Sequence, residues 1–142
     1  MTPSPTPNFT VRAVLWDMDG TLMDSQPFWD EAFIHHCQAL GGDPRPELVA
    51  QMTGASIRQA RELIAATGAT PSPQDPATAE VFAQMAADVE ASVRVTPPIL
   101  PGARRITSML SEIGLAQIIV TQSPRRIVES VAHALGDVFV GL

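Results

Sequence analysis

The sequence contains no lysine: its nine basic residues are all arginines, and fifteen acidic residues give a net charge of −6. The arginines are scattered or paired and form no basic patch, which argues against a nucleic-acid partner. No apolar run approaches the ~20 residues that a membrane-spanning helix requires, and the first residues lack the charged and then apolar pattern of a signal peptide. We therefore expect a protein that binds neither nucleic acid nor membrane.

Cysteine is almost absent as well, since Cys37 is the only one in 142 residues. One cysteine excludes an internal disulfide framework and is compatible with a reducing compartment, so we predict a cytoplasmic protein. His35 and His36 precede this cysteine, but consecutive residues of a helix point about 100° apart. The three side chains therefore do not converge on one metal ion, and the sequence offers no second cluster to complete a site.

Two carboxylates follow a short apolar run near the start of the chain. Residues 14–16 predict a buried strand, and Asp17 and Asp19 come directly after it. Two residues apart on extended backbone, their side chains point to the same side. At ~4 Å and an effective dielectric constant of ~20, their repulsion amounts to about 4 kcal/mol, so either one keeps a proton or a cation lies between them. Gly20 then allows a tight turn close to a ligand, at the sheet edge where open α/β sheets bind ligands.

These residues carry a resemblance to a known family. Residues 17–21, Asp-Met-Asp-Gly-Thr behind an apolar strand, resemble the first signature of the haloacid dehalogenase-like hydrolases, and residues 22–25 extend the resemblance into the sugar-phosphatase and β-phosphoglucomutase branch. The resemblance implies that Asp17 is the nucleophile that forms an aspartyl-phosphate and is also a ligand of Mg²⁺. It implies that Asp19 is the general acid/base, with its backbone carbonyl facing the metal. Because the dehalogenase branch lacks this second aspartate, phosphoryl transfer is favoured over dehalogenation.

The loop residues Gly20 and Thr21 are assigned to substrate binding by the same resemblance. A second apolar strand is predicted at residues 116–121, and it ends in Thr121-Gln122-Ser123. This order matches the family's second signature, in which a hydroxyl binds the transferred phosphoryl group. The resemblance therefore assigns Thr121, with Gln122 and Ser123, to the phosphate.

Ser123 is also expected to cap the next helix, whose amino terminus favours a nearby anion. Arg125 lies in the first turn of that helix, where a cation is unfavourable unless an anion is bound close by. Arg125 is therefore a candidate phosphate contact.

The sequence between the two motifs shows apolar residues at helical spacing. Apolar spacing and capping residues predict helices at residues 26–40, 47–52, 57–67 and 78–95, the first of them capped by Ser25. Together these helices resemble the helical cap of this branch. Ser56, with Gln59 three residues later, predicts a capping box. The loop from Gly54 to Ser56 resembles the substrate-specificity loop of that cap, although simple helix punctuation explains it equally well. Arg58 is a candidate contact for an anionic substrate, or else an exposed residue on a solvated helix face.

The predicted fold class is α/β, with an incomplete Rossmann-like parallel sheet and an inserted all-helical cap. We expect a disordered leader at residues 1–10, a discontinuous core at residues 11–25 and 97–142, and the cap at residues 26–96. A third strand is predicted at residues 137–140. The family continues further, with a basic signature and an acidic signature, so the resemblance implies a C-terminally truncated chain. Its sheet would expose apolar surface and an open edge, which favours a homodimer through the third strand.

The expected function is that of a Mg²⁺-dependent phosphatase of a small phosphorylated metabolite, impaired by the missing signatures. A phosphomutase of the β-phosphoglucomutase type would use the same two aspartates and return the phosphoryl group to its substrate. A third interpretation is a non-catalytic fragment or binding module of the same family. The sequence does not identify the metabolite.

Overall fold

The computed structural model describes residues 10–142, so the predicted leader at residues 1–10 lies outside the described residues except for its last position. The elements in chain order are β1 (Ala13–Trp16), α1 (Gln26–Ala39), α2 (Pro46–Gln51), α3 (Ile57–Ala66), α4 (Pro76–Val95), α5 (Ala103–Glu112), β2 (Ala116–Ile119) and α6 (Arg125–Ala134). Within the described part of the chain, no helix is both long enough and apolar enough to cross a bilayer.

The two strands pair in parallel, with Ala13 opposite Ala116 and Trp16 opposite Ile119. The pairing continues one step further, because the Val120 amide donates to the Trp16 carbonyl at 2.8 Å. Both strands therefore end at the same edge of the sheet. This small parallel sheet with its helical crossover confirms the predicted Rossmann-like α/β class.

Residues 137–140 do not form the predicted third strand. Gly136 and Asp137 have φ angles of 95° and 53°, so the chain turns through the left-handed region where the apolar sequence predicted extended backbone. Pairing with β2 begins only after this turn: the Val140 amide donates to the Gln117 carbonyl at 2.8 Å, and Ile118 forms one parallel bridge with Gly141. The prediction was wrong because the apolar residues after Asp137 carry no signal for the turn that precedes them.

Helices α1 to α4, the predicted cap, pack on one another, with α1 and α3 both lying against α4. Their shared interior is apolar and includes Phe33, Ile64, Met85 and Val89, all fully buried. The helix α4 also contacts α6, so the cap helices rest on the sheet-bearing part of the molecule. Burial of side chains of this size contributes roughly 1.5–3 kcal/mol each, which explains why four short helices hold together.

The spacing of Trp29, Phe33, Cys37 and Leu40 on α1 predicts one core-packing face. Phe33 and Cys37 are fully buried, but Leu40 is 53% exposed, because α1 ends at Ala39 and Leu40 already belongs to the turn that follows. Trp29 is half-buried and faces the cleft described below. Of this predicted face, therefore, only Phe33 and Cys37 belong fully to the core.

Two segments that join the cap helices to the sheet run side by side. Met23 and Ile99 form an antiparallel bridge, and the Asp24 amide donates to the Pro98 carbonyl at 2.9 Å. The chain thus enters and leaves the cap helices at one place. The division into a core and a cap at these segments stays a prediction.

One face of the sheet is covered and the other is open. On the covered face Gln117 is fully buried; Trp16 Nε1 donates to its Oε1 at 3.0 Å, and its Nε2 donates to the Thr107 carbonyl at 2.8 Å. On the other face Leu15, in the middle of β1, is 69% exposed. The described residues thus show the uncovered apolar sheet surface that the sequence predicts, whereas a homodimer stays a prediction.

Candidate active site

A tight turn directly after β1 determines where both aspartates lie. The Met18 carbonyl accepts hydrogen bonds from the amides of residues 21–23, and the Gly20 amide donates to the Met23 carbonyl at 2.8 Å. Gly20 has a φ of 79°, a left-handed conformation that glycine adopts without strain. Met18 and Met23 are fully buried, so their side chains anchor the turn from inside the molecule.

The carboxylate of Asp19 accepts hydrogen bonds from three hydroxyl groups in separate parts of the chain. Ser25 Oγ donates to Oδ1 at 2.5 Å, Ser123 Oγ donates to Oδ2 at 2.6 Å, and Thr121 Oγ1 donates to Oδ2 at 3.2 Å. Ser25 directly precedes α1, whereas Thr121 and Ser123 follow β2. Hydrogen bonds to a charged group contribute roughly 1.5–3 kcal/mol each. The orientation of Asp19 is therefore fixed by Ser25, directly before α1, and by two residues that follow β2.

These contacts correct two predictions about helix capping. The side chain of Ser25 makes no capping hydrogen bond to α1, and Pro124 rather than Ser123 is the N-cap of α6. In both cases the hydroxyl bonds to Asp19 instead. A serine before a helix predicts a cap, but this pattern carries no information about the Asp19 carboxylate, which each hydroxyl contacts in the folded chain.

Asp17 has a different environment from Asp19. It is exposed, and Thr21 Oγ1 donates to its Oδ2 at 3.1 Å. Among residues 10–142 no second hydrogen-bond donor approaches this carboxylate. One carboxylate that is free to react beside one that is held in place matches the requirements of a nucleophile and a general acid/base.

A cleft of about 280 Å³ opens above the two aspartates. Its floor is formed by the residues that follow the two strands: Asp17, Asp19, Thr121, Gln122 and Ser123. Its roof is formed by α1, the α2–α3 loop and the starts of α3 and α4, through Gln26, Trp29, Met52, Gly54, Ile57 and Phe82. The rings of Trp29 and Phe82 stack, with centroids 5.9 Å apart and planes inclined by 16°. The cleft therefore has a polar floor and a largely apolar roof.

Some predicted site residues lie outside this cleft. Gly20 and Thr21 belong to the turn beneath it, and Ser56 forms the predicted capping box with Gln59. Arg58 pairs with Glu62 at 3.1 Å, and Arg125 pairs with Glu129 at 2.8 Å; both arginine side chains are exposed. The structure thus brings neither arginine into the cleft. Their predicted contacts with an anion stay predictions.

Most of the roof was not predicted from the sequence. Gln26, Met52, Ile57 and Phe82 were not singled out, and Trp29 was assigned to the core. Trp29 and Phe82 are far apart in sequence, and each fits a helical apolar stripe. Only the packing of α1 against α4 reveals that they form one surface, so no local signal could have identified them.

The site offers hard oxygen donors to a cation. Asp17 and Asp19 supply carboxylates, and the residues lining the cleft within 10–142 include no arginine or histidine, so its local charge is negative. In the same range there is no group of three or more His, Cys, Asp or Glu side chains that could hold a metal. The donor set therefore fits Mg²⁺, which needs one or two carboxylates and keeps several waters, rather than a metal that needs a closed protein cage.

The structure gives His36 and Cys37, which are adjacent in sequence, separate environments. His36 Nε2 lies 2.8 Å from Asp88 Oδ2 on α4, and Cys37 is fully buried. Burial raises the pKa of the Cys37 thiol, and the neighbouring Thr67 side chain opposes this to a smaller extent. A buried thiol with a raised pKa is a poor nucleophile and metal ligand.

Comparison with known proteins agrees with the motifs. The family model of the haloacid dehalogenase-like hydrolases matches residues 11–142. Hexitol phosphatase B of Escherichia coli K12 is 31% identical over 122 residues, which cover 85% of this chain and 54% of that protein. The chain thus spans about half the length of the curated relatives it matches.

Solved structures show the same fold at low sequence identity. A β-phosphoglucomutase from Clostridium difficile has a TM-score of 0.73 and 16% identity, with 93% of this chain and 60% of that chain covered. A hydrolase of the haloacid dehalogenase type from Bacillus subtilis, solved bound to magnesium, has a TM-score of 0.67 and 15% identity, with 92% and 63% covered. At these identities the likeness establishes the fold alone.

Proposed function

The chain belongs to the haloacid dehalogenase-like hydrolases, and on that premise we propose that it hydrolyses the phosphate monoester of a small metabolite. Asp17 is the nucleophile and Asp19 is the general acid/base. The observation that carries the proposal is the contrast between the two carboxylates: Asp19 is oriented by three hydroxyls, and Asp17 is exposed to the cleft beside it.

The reaction has two steps. In the first, a carboxylate oxygen of Asp17 forms a bond to phosphorus while the bond from phosphorus to the ester oxygen breaks. Asp19 enters this step protonated, which its hydroxyl neighbours allow because a hydroxyl can accept as well as donate a hydrogen bond, and it gives its proton to the departing alcohol. In the second, Asp19 takes a proton from water as the water oxygen bonds to phosphorus and the bond to Asp17 breaks. Inorganic phosphate leaves, Asp17 is regenerated, and Asp19 is protonated again.

The phosphate is proposed to lie against Thr121, Gln122 and Ser123, above the turn that contains Gly20 and Thr21. This assignment is supported by the common sheet edge at which both strands end. Gly54 belongs to the roof, where it is proposed to face the rest of the substrate. The partner is thus a small phosphorylated metabolite, while a homodimer and a cytoplasmic location stay predictions from the sequence.

Mg²⁺ is the proposed cofactor, held by the Asp17 carboxylate and by Asp19. When bound, it neutralises charge on the phosphoryl group and on the carboxylates. The fit rests on the two adjacent carboxylates and the negative charge of the cleft. The magnesium-bound Bacillus subtilis structure of the same fold supports the choice of metal.

The test is phosphate release from an aryl phosphate by the purified chain, with and without Mg²⁺. Asp17→Asn should lower turnover at least about a thousandfold, since it removes the nucleophile. Asp43→Asn is the matched control, because Asp43 lies in an exposed turn and makes the same change of charge outside the cleft. Turnover that survives Asp17→Asn would contradict the proposal.

A phosphomutase is the second candidate, favoured by the structural likeness to the Clostridium difficile β-phosphoglucomutase. Phosphorus NMR on sugar monophosphates distinguishes the two functions, because a mutase forms an isomeric ester and a phosphatase forms inorganic phosphate. A folded chain that binds phosphate esters without converting them would instead be the binding module.

A further inference from the structure

The roof of the cleft is built almost entirely from apolar side chains. Trp29 and Phe82 present a stacked aromatic surface, and Met52 and Ile57 continue it. Met52 is nearly buried, whereas Ile57 is 46% exposed although it is apolar. An exposed isoleucine beside two aromatic rings is a surface that apolar parts of a ligand would cover.

The polar groups of the roof are few and neutral. Among the roof residues, Gln26 has a polar side chain, and Gln26 Nε2 already donates to Asp30 Oδ1 at 2.6 Å. No arginine or histidine of residues 10–142 lines the cleft. Arg58, on α3 next to the roof residue Ile57, is paired with Glu62. A second phosphate under this roof would therefore have no cation to meet, and its burial would be strongly unfavourable.

The space is also limited. A volume of about 280 Å³ lies just below the ~300–1,000 Å³ typical of small-molecule sites. One phosphate on the floor leaves room for a group of about one ring beneath the roof. A polyol in that place would bring several hydroxyls against apolar carbon without partners for them.

We propose that this site selects monophosphates of an uncharged alcohol with a flat apolar face of about one ring, and that Trp29, Phe82 and Ile57 determine this specificity. Bisphosphates and open-chain polyol phosphates bind poorly. The inference rests on the proposed function, in that the phosphate is taken to lie against Asp17 and Asp19.

Binding to the Asp17→Asn chain, measured by calorimetry with Mg²⁺ present, tests the specificity without interference from turnover. Phenyl phosphate should bind roughly tenfold more tightly than sorbitol 6-phosphate or fructose 1,6-bisphosphate. Adding Trp29→Ala should remove most of this preference, and Trp29→Phe should keep it. Leu40→Ala is the control, because Leu40 directly follows the same helix, is exposed and lies outside the cleft.

A gain of binding provides the second arm. Ile57→Arg should tighten the binding of fructose 1,6-bisphosphate about tenfold and weaken that of phenyl phosphate, since it gives the roof a cation. Ile106→Arg is the matched control: Ile106 is 40% exposed, comparable to Ile57, and lies on α5 away from the cleft.

Each outcome decides the inference separately from the reaction. The proposed specificity is overturned if the affinities are equal or reversed. It is also overturned if phenyl phosphate does not bind to a chain that circular dichroism shows to be folded. If the preference holds but the wild-type chain releases no phosphate from phenyl phosphate, the specificity stands and the proposed function fails.

Discussion

The hydroxyl of Ser25 donates a 2.5 Å hydrogen bond to Oδ1 of Asp19, which joins the residue directly before the first cap helix to the proposed acid/base. Ser25 is almost completely buried, so water does not replace this bond. A movement of α1 would therefore also move one of the three donors that orient Asp19. The arrangement couples the position of the cap helices to the geometry of the reaction.

Replacing Ser25 by alanine tests this coupling. Ser25→Ala should lower kcat by roughly tenfold to a hundredfold with little change in KM, because it misorients the acid/base without touching the bound ester. The free energy of unfolding should fall by about 1–2 kcal/mol, since a buried charge-assisted hydrogen bond is lost. Steady-state kinetics and urea unfolding measure the two effects. Ser25→Thr keeps the hydroxyl and should restore most of the activity; if it behaves like alanine, the hydrogen bond is not the cause.

Ser56 was a candidate substrate contact, but its side chain is engaged in the capping box of α3. The Gln59 backbone N–H donates to Ser56 Oγ at 3.3 Å, and the Ser56 backbone N–H donates to Gln59 Oε1 at 2.9 Å. Ser56→Ala should therefore cost about 1 kcal/mol of stability and leave KM unchanged. Ser56→Asp, which can also cap the helix, should recover the stability. A rise in KM for the alanine variant at unchanged stability would instead support the substrate contact.

Gly42 lies where a side chain has no room. A Cβ there would come within 2.7 Å of Thr67 Oγ1 and 2.9 Å of the Ala69 backbone nitrogen. Gly42→Ala should lower the free energy of unfolding by about 1–3 kcal/mol, because the backbone of the neighbouring loop must shift. Gly41 is the matched control: its φ is 78° with open space around it, a conformation that asparagine tolerates. Thermal unfolding should therefore show a larger loss for Gly42→Ala than for Gly41→Asn, and the reverse order would contradict the packing argument.

Local sequence was sufficient where structure depends on neighbours in the chain. The two strands, the turn at Gly20 and the capping box at Ser56 follow from apolar runs, a flexible residue and a three-residue spacing. The ion pairs of Arg58 with Glu62 and of Arg125 with Glu129 also follow from a spacing of four, and the predicted contacts of the two arginines with an anion stay predictions.

Local sequence failed where the partner is distant in the chain. Ser123 was predicted as a helix cap, because nothing local indicates that its hydroxyl reaches Asp19, 104 residues away. Ser25 was also predicted as a cap, although Asp19 lies only six residues away. Trp29 and Phe82 form one surface only because α1 packs against α4. The fold and the place of the two aspartates at the end of β1 could thus be predicted from patterns, while their catalytic roles stay a prediction and the roof of the cleft depends on tertiary packing.

The absence of lysine and tyrosine makes Cys37 a measurable probe of stability. Burial raises the pKa of its thiol above the ordinary value of 9.0 in the folded chain. Below that value both states keep the proton and the full stability is present. As pH rises above about 9, the unfolded state releases its proton first, so the free energy of unfolding should fall, by up to ~1.4 kcal/mol per pH unit. The sequence has no lysine and no tyrosine to titrate in the same range. Urea unfolding between pH 8 and about 11 should show this slope, and Cys37→Ser, which cannot ionise there, should be less stable but flat. An equal slope in both chains would show that the loss of stability does not come from the thiol.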